Sequence, residues 1–225
     1  MKTRFAVLLL LTLAMASAGT VTVAFTTLPV NQAGGYYVGF AQATVGASLD
    51  IDLLCDDIDH TTYVPSGPFS YYLSSLPQLQ NVRWTGPNQQ AELTNYETAA
   101  VLLYEFAALG AVSNDTAGAY NFALWDLFDP SAPTYGTGPT GSAALLTGAE
   151  SIVASGGIAA AYDELEVLTP TPGAASNQEF LFLEQNDTVI ISGAPGNGSS
   201  APEPRTPLLL GSGLIALVIL SKRLL

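Results

Sequence analysis

Basic residues are scarce in this 225-residue chain, which holds six Lys and Arg against 19 Asp and Glu. Between Gly19 and Ala201 there is no lysine, and Arg83 stands alone against eighteen acids, a net charge near −17 with His60 neutral. Nucleic acid is thereby excluded as a partner, because phosphate binding needs clustered Lys and Arg. Anionic membrane surfaces are disfavoured on the same ground. Without lysine, this stretch cannot stiffen itself with Lys–Asn isopeptide bonds. Cys55 is the only cysteine, so no intramolecular disulfide can form. A lone thiol is then buried and inert, paired with another chain, or chemically committed. His60 is the only histidine, and there is no Gly-x-Ser-x-Gly elbow, phosphate-cradling glycine loop or His-rich zinc pattern. No internal repeat marks a solenoid or propeller. These absences favour a protein that is not an enzyme.

Both ends of the chain carry apolar runs with distinctive flanks. Lys2 and Arg4, the run Phe5 to Ala16 and the small-residue triplet Ala16-Ser17-Ala18 fit a secretory signal peptide over residues 1–18, cut before Gly19. Ala14-Met15-Ala16 offers a second cleavage point. At the other end, a Gly/Pro/Ser linker (193–201) leads to Pro202-Glu203-Pro204, then an apolar run from Pro207 and Leu208 to Leu220, then Lys222 and Arg223. The run is 14 residues long, short of the ~20 of a spanning helix, with Leu224 and Leu225 beyond the basic pair. It predicts a marginal membrane helix with Lys222 and Arg223 on the cytoplasmic side and everything before Ala201 outside. A buried C-terminal core helix and a GPI-type tail are the alternatives, the Lys-Arg end arguing against the second.

Motif, apolar span and basic end together resemble the PEP-CTERM sorting tail of exported Gram-negative bacterial proteins. The resemblance implies an inner-membrane-anchored intermediate delivered by the export machinery. It also implies processing by an exosortase near Pro202-Glu203-Pro204, and arrival at the cell surface or in an extracellular polysaccharide matrix. Residues 202–225 are then the sorting and anchor segment, and residues 19–192 the exported domain.

Within that domain, TVTVAF, YYVGFAQATV and SLDIDLLCDDIDH read as strands, broken at Gly34-Gly35. In LDIDLLC, Leu49, Ile51 and Leu53 alternate with Asp50 and Asp52, and Cys55 continues the buried parity. Thr94-Asn95-Tyr96-Glu97 matches a capping box, predicting a helix from there to Gly110. A second helix is predicted over Thr116 to Asp129, ended by Pro130, with Asn121, Leu124, Trp125 and Phe128 on one face. That face should bury Asn121. A third is expected from Ser142 to Ser155, before Gly156-Gly157. Strands follow at Glu164–Thr169, Glu179–Glu184 and Thr188–Ser192. Strands, a helical insertion and strands again imply an α+β domain whose N- and C-terminal strands share a sheet or barrel.

CDDIDH, ETAAVLLYEFAAL, YNFALWDLFDP and NQEFLFLE occur in an order similar to that of PEP-CTERM proteins related to the thioester domains of bacterial surface adhesins. The resemblance implies that Cys55 condenses with an amide side chain to an internal thioester that acylates amines or hydroxyls on a target. The family's Gln lies four residues before the Trp of a Gln-x-Ala-Ile-Trp helix motif. Asn121-Phe122-Ala123-Leu124-Trp125 keeps the frame but shortens the amide by one methylene, so the helix would have to approach Cys55 more closely. Asn121 is therefore either the acyl partner or a buried amide hydrogen-bonded near Cys55. Gln178 is a further candidate.

Asp50, Asp52, Asp56, Asp57, Asp59 and His60 are either a solvated strand face and turn or, through Asp56, Asp57 and Asp59, a Ca²⁺ site. They lack the sixth-position Gly and twelfth-position Glu of an EF-hand. No other cofactor is expected. His60 either orients Cys55 or is a turn residue bonded to backbone. The sequons at Asn114, Asn186 and Asn197 matter only in a glycosylating host. Tyr36-Tyr37, Tyr71-Tyr72 and Trp84 are core residues or platforms for sugars, while no Thr-x-Thr array supports ice binding. The expectation is a non-enzymatic surface or matrix protein engaged in adhesion, with exopolysaccharide or a cell-surface ligand as partner. A covalent adhesin is the alternative, and a carbohydrate- or ice-binding module a third.

Overall fold

Strand-forming sequence from both ends of the described residues meets in one closed antiparallel barrel. The computed structural model describes residues 19–76 and 78–184. In chain order its elements are β1 (Gly19–Thr27), β2 (Asn31–Ala33), β3 (Tyr36–Val38), β4 (Ala41–Val45), β5 (Ser48–Cys55) and β6 (Ser66–Ser75). Helices α1 (Gln89–Ala108), α2 (Asn114–Phe128), α3 (Ser142–Ala154) and α4 (Ala159–Glu164) follow, then β7 (Leu165–Pro170) and β8 (Phe180–Leu183). The barrel order is β1-β4-β5-β8-β7-β6, closed by β6 on β1, so none of its six strands is left as an open edge. Val23 of β1 lies opposite Val45 on one side and Phe69 on the other. β8, returning after the helices, places Phe180 opposite both Cys55 and Leu168. The expected α+β barrel with a helical insertion is therefore the observed architecture.

The alternation in β5 is resolved by two hydrophobic environments. Ile51, Leu53 and Cys55 join the barrel interior with Val23, Phe25 and Phe180, whereas Asp50 and Asp52 face solvent. Leu54 breaks the polar parity because β5 there passes beneath the helices, where it packs with Leu165, Val167 and Leu181. The side chain of Leu49 is outside the described set.

α2 runs through the middle of the helical layer. Every residue from Ala117 to Trp125 is buried, not only the predicted face. Gly118 is required there: a Cβ would lie 2.6 Å from that of Ala33 and 2.7 Å from the Tyr135 ring. The close approach seats the β2–β3 hairpin on α2. Its turn, Gly34-Gly35, has φ of +58° and +89°, as a two-residue primed turn demands.

Three local expectations need correction. α1 begins before the Thr94–Glu97 box: Asn88 is the N-cap, its side chain accepting from Ala91 N at 2.9 Å, and Thr94 Oγ1 instead donates to the Gln90 carbonyl inside the helix. β6 was not foreseen, because Gly67 and Pro68 read as breakers. The short α4 was also missed. The strand expected at Thr188–Ser192 lies outside the described residues, as do Ala16 and Ala18, the linker, Pro202, Glu203, Pro204 and the anchor from Pro207 to Arg223. Among the described residues no helix is long and apolar enough to cross a membrane.

Candidate functional site

Where β5 ends, the chain leaves the barrel through Cys55, Asp56 and Asp57, and a cleft of about 240 Å³ opens beside it. Cys55, Asn121 and Trp125 lie on its floor, with Gln178 and His60 on its wall and Tyr36 and Tyr37 at its lip. These residues come from four separate segments of the chain.

Asn121 and Trp125, one turn apart on α2, both donate to the Cys55 carbonyl, at 3.0 and 3.1 Å. Asn121 Oδ1 accepts from Gly39 N at 2.5 Å, so its amide ties β5, α2 and the end of the hairpin together. This is the buried, hydrogen-bonded amide that the helical period predicts, and it engages the backbone of Cys55 rather than the sulfur. The sulfur bonds the backbone of Asp57. Cys55 Sγ donates to the Asp57 carbonyl at 3.1 Å and accepts from Asp57 N at 3.3 Å. Gln178 Nε2 donates to that same Asp57 carbonyl at 2.8 Å, while its Oε1 accepts from Thr62 N. Thiol and Gln178 amide thus converge on one oxygen. Burial pushes the Cys55 thiol well above its usual range and the charge of Asp56 adds to the shift, so the sulfur is protonated at neutral pH.

The acidic turn is not the solvated feature expected. Asp59 is exposed, but Asp56 and Asp57 are fully buried. Asp57 is a hub: one oxygen accepts from Asp59 N, His60 N and His60 Nδ1, the last at 3.0 Å. The other accepts from Glu179 N and from the Arg83 guanidinium. A carboxylate only accepts, so the Nδ1 of His60 carries the proton. His60 is therefore held by a carboxylate rather than by backbone alone, and no hydrogen bond joins it to Cys55.

Arg83, the one Lys or Arg among the described residues, also donates to the carbonyls of Ala175 and Asn177. Its own N–H donates to Glu179, whose carboxylate additionally accepts from Tyr96 and Thr169. Nothing comparable holds Asp56. Neither of its oxygens has a hydrogen-bond partner within the described residues, and burial, then the charges of Glu179 and Asp57, push its carboxyl well up. Among the described residues no cluster of three or more His, Cys, Asp or Glu is arranged to hold a metal.

Sequence reasoning missed Arg83 and Glu179. The available signal for Arg83 was its solitude: one cation among eighteen acids is a candidate for a buried pair. Comparison of the chain with protein-family models, with curated proteins and with solved structures finds no match.

Proposed function

We propose that this is an exported protein that works at the cell surface or in the extracellular matrix, sorted through a PEP-CTERM-type tail by an exosortase, and that its barrel domain binds rather than catalyses. One observation carries the binding reading. The cleft's thiol is protonated and bonds only the Asp57 backbone, while Asn121 and Trp125 donate to the Cys55 carbonyl and Gln178 donates to that of Asp57. Such a floor holds a shape. The export reading rests on the signal-like and tail-like ends and on the acidity of the stretch between them. A tagged copy followed in cells with and without the exosortase tests it: loss of surface delivery in the mutant is expected, and an untrimmed chain in the cytosol of both strains would refute it.

A covalent adhesin is the second reading, favoured by the convergence of Cys55 Sγ and Gln178 Nε2 on the Asp57 carbonyl. It makes Gln178, rather than Asn121, the acyl partner. Cys55 Sγ would add to the Gln178 side-chain carbonyl carbon, the C–N bond would break, and ammonia would leave with the thiol proton. A target amine would later displace the sulfur, forming an amide and regenerating the thiol. Intact mass with and without methylamine decides between the two: ammonia loss and amine uptake abolished by Gln178→Glu support the covalent route, and an unmodified chain leaves the first reading.

A further inference from the structure

The lip of the Cys55 cleft differs in chemistry from the rest of the molecule. Although the exported stretch is crowded with acids, His60 is the only titratable lining residue besides Cys55 and the two lip tyrosines, and no carboxylate lines it. Asp57, which holds His60, is also engaged by Arg83. The recess therefore offers no counter-ion to a charged ligand of either sign.

Its unspent polar groups lie at the rim. The hydroxyls of Tyr36, Tyr37 and Thr61 and the Nε2 of His60 have no hydrogen-bond partner among the described residues. Nε2 is an acceptor, because Nδ1 holds the proton, and the hydroxyls both donate and accept. Beside them are aromatic faces. Tyr36 is fixed edge-on to Phe122 and Trp125, with ring centres 5.8 and 5.4 Å apart. Tyr37 is 52 % exposed and unpacked by any ring. The hairpin packs closely on α2, since a Cβ on Gly34 would come within 2.9 Å of the Phe122 ring.

An aromatic face with uncharged two-way hydrogen-bonding groups fits a ligand that has one apolar face and an edge of hydroxyls. We infer that the cleft binds a neutral saccharide, one sugar ring entering the recess against Tyr36 and Trp125 while the next lies across Tyr37. This rests on the binding reading above and names its ligand class. The recess, at about 240 Å³, is smaller than the ~300–1,000 Å³ of sites that enclose drug-sized ligands, so it admits a single unit of a chain.

Trp125 in the floor and Trp84, stacked on Phe128 away from the cleft, are the only tryptophans, so fluorescence and calorimetry can both report binding. The exported protein, recovered after secretion, is titrated with neutral tetrasaccharides of glucose, galactose and mannose, with uronic-acid and glucosamine tetrasaccharides as anionic and cationic controls. At least one neutral saccharide should bind with little dependence on salt. Tyr37→Ala should weaken it about tenfold without moving the melting temperature, and Tyr37→Phe should keep most of the affinity. No binding of any neutral saccharide, equal binding by Tyr37→Ala, or salt-sensitive binding of the charged controls alone would overturn the inference. Self-association lost in Tyr37→Ala would assign the cleft to a second copy and overturn it too. Failure here with surface delivery intact removes only the ligand, whereas mislocalisation with binding intact removes only the export reading.

Discussion

At the scale of single residues, the Arg83–Asp57 pair does most to fix the cleft wall. Asp57 is fully buried, and the guanidinium that neutralises it also clamps the carbonyls of Ala175 and Asn177, next to Gln178. Removing one member of a buried pair leaves the other charge uncompensated, which costs about 3–5 kcal/mol. Arg83→Met should therefore lower stability by that order in urea unfolding and loosen Gln178 from the Asp57 carbonyl. A loss under about 1 kcal/mol would mean that the pair is dispensable. Neither contact was legible beforehand. Cys55 and Asn121 could be placed because a period of 2 and a period of 3.6 each act within one element. Gln178 meets Asp57 across 121 positions and Arg83 meets it across 26, and nothing local encodes such distances.

At the scale of elements, the strands and helices that follow one period were foreseen and those that mix signals were not. β5 alternates as far as Leu53, and α2 carries its large apolar residues at helical spacing. β6 hides its alternating Tyr71 and Leu73 behind Gly67 and Pro68, which closure of the barrel tolerates. The start of α1 was misjudged because two capping patterns lie in tandem, and only geometry shows which side chain reaches the orphan N–H groups. Asn88→Ala should lower stability by about 0.5–2 kcal/mol, the cost of an N-cap. Thr94→Ala should change it by less than about 0.5 kcal/mol, because its hydroxyl only back-bonds within the helix. Thermal unfolding of the two variants distinguishes the caps, and the opposite ranking would restore the Thr94 box as the helix start.

At the scale of the whole molecule, acidity and burial pull against each other. Burial raises the carboxyls of Asp56 and Glu179 in the core and, to a lesser degree, those of Glu97 and Glu105 on α1. On β7, burial and then the charge of Glu184 push Glu166 up to about 7. For each of these, the folded chain keeps a proton that the unfolded chain has already shed, so stability falls as pH rises from the ordinary carboxylate range through the folded value. Mutual repulsion among the chain's 19 acids acts in the same direction as they ionise. The melting temperature should accordingly be higher near pH 5 than near pH 8, with salt recovering only the repulsive share. Glu166→Gln keeps the shape and removes the titration, and should raise stability at pH 8 by on the order of 2 kcal/mol while changing little at pH 4. Asp56→Asn should flatten the profile further, since the buried acid that lacks any partner is the one with most to lose on ionising. A melting temperature that climbs from pH 5 to pH 8 in the wild-type protein would overturn this account.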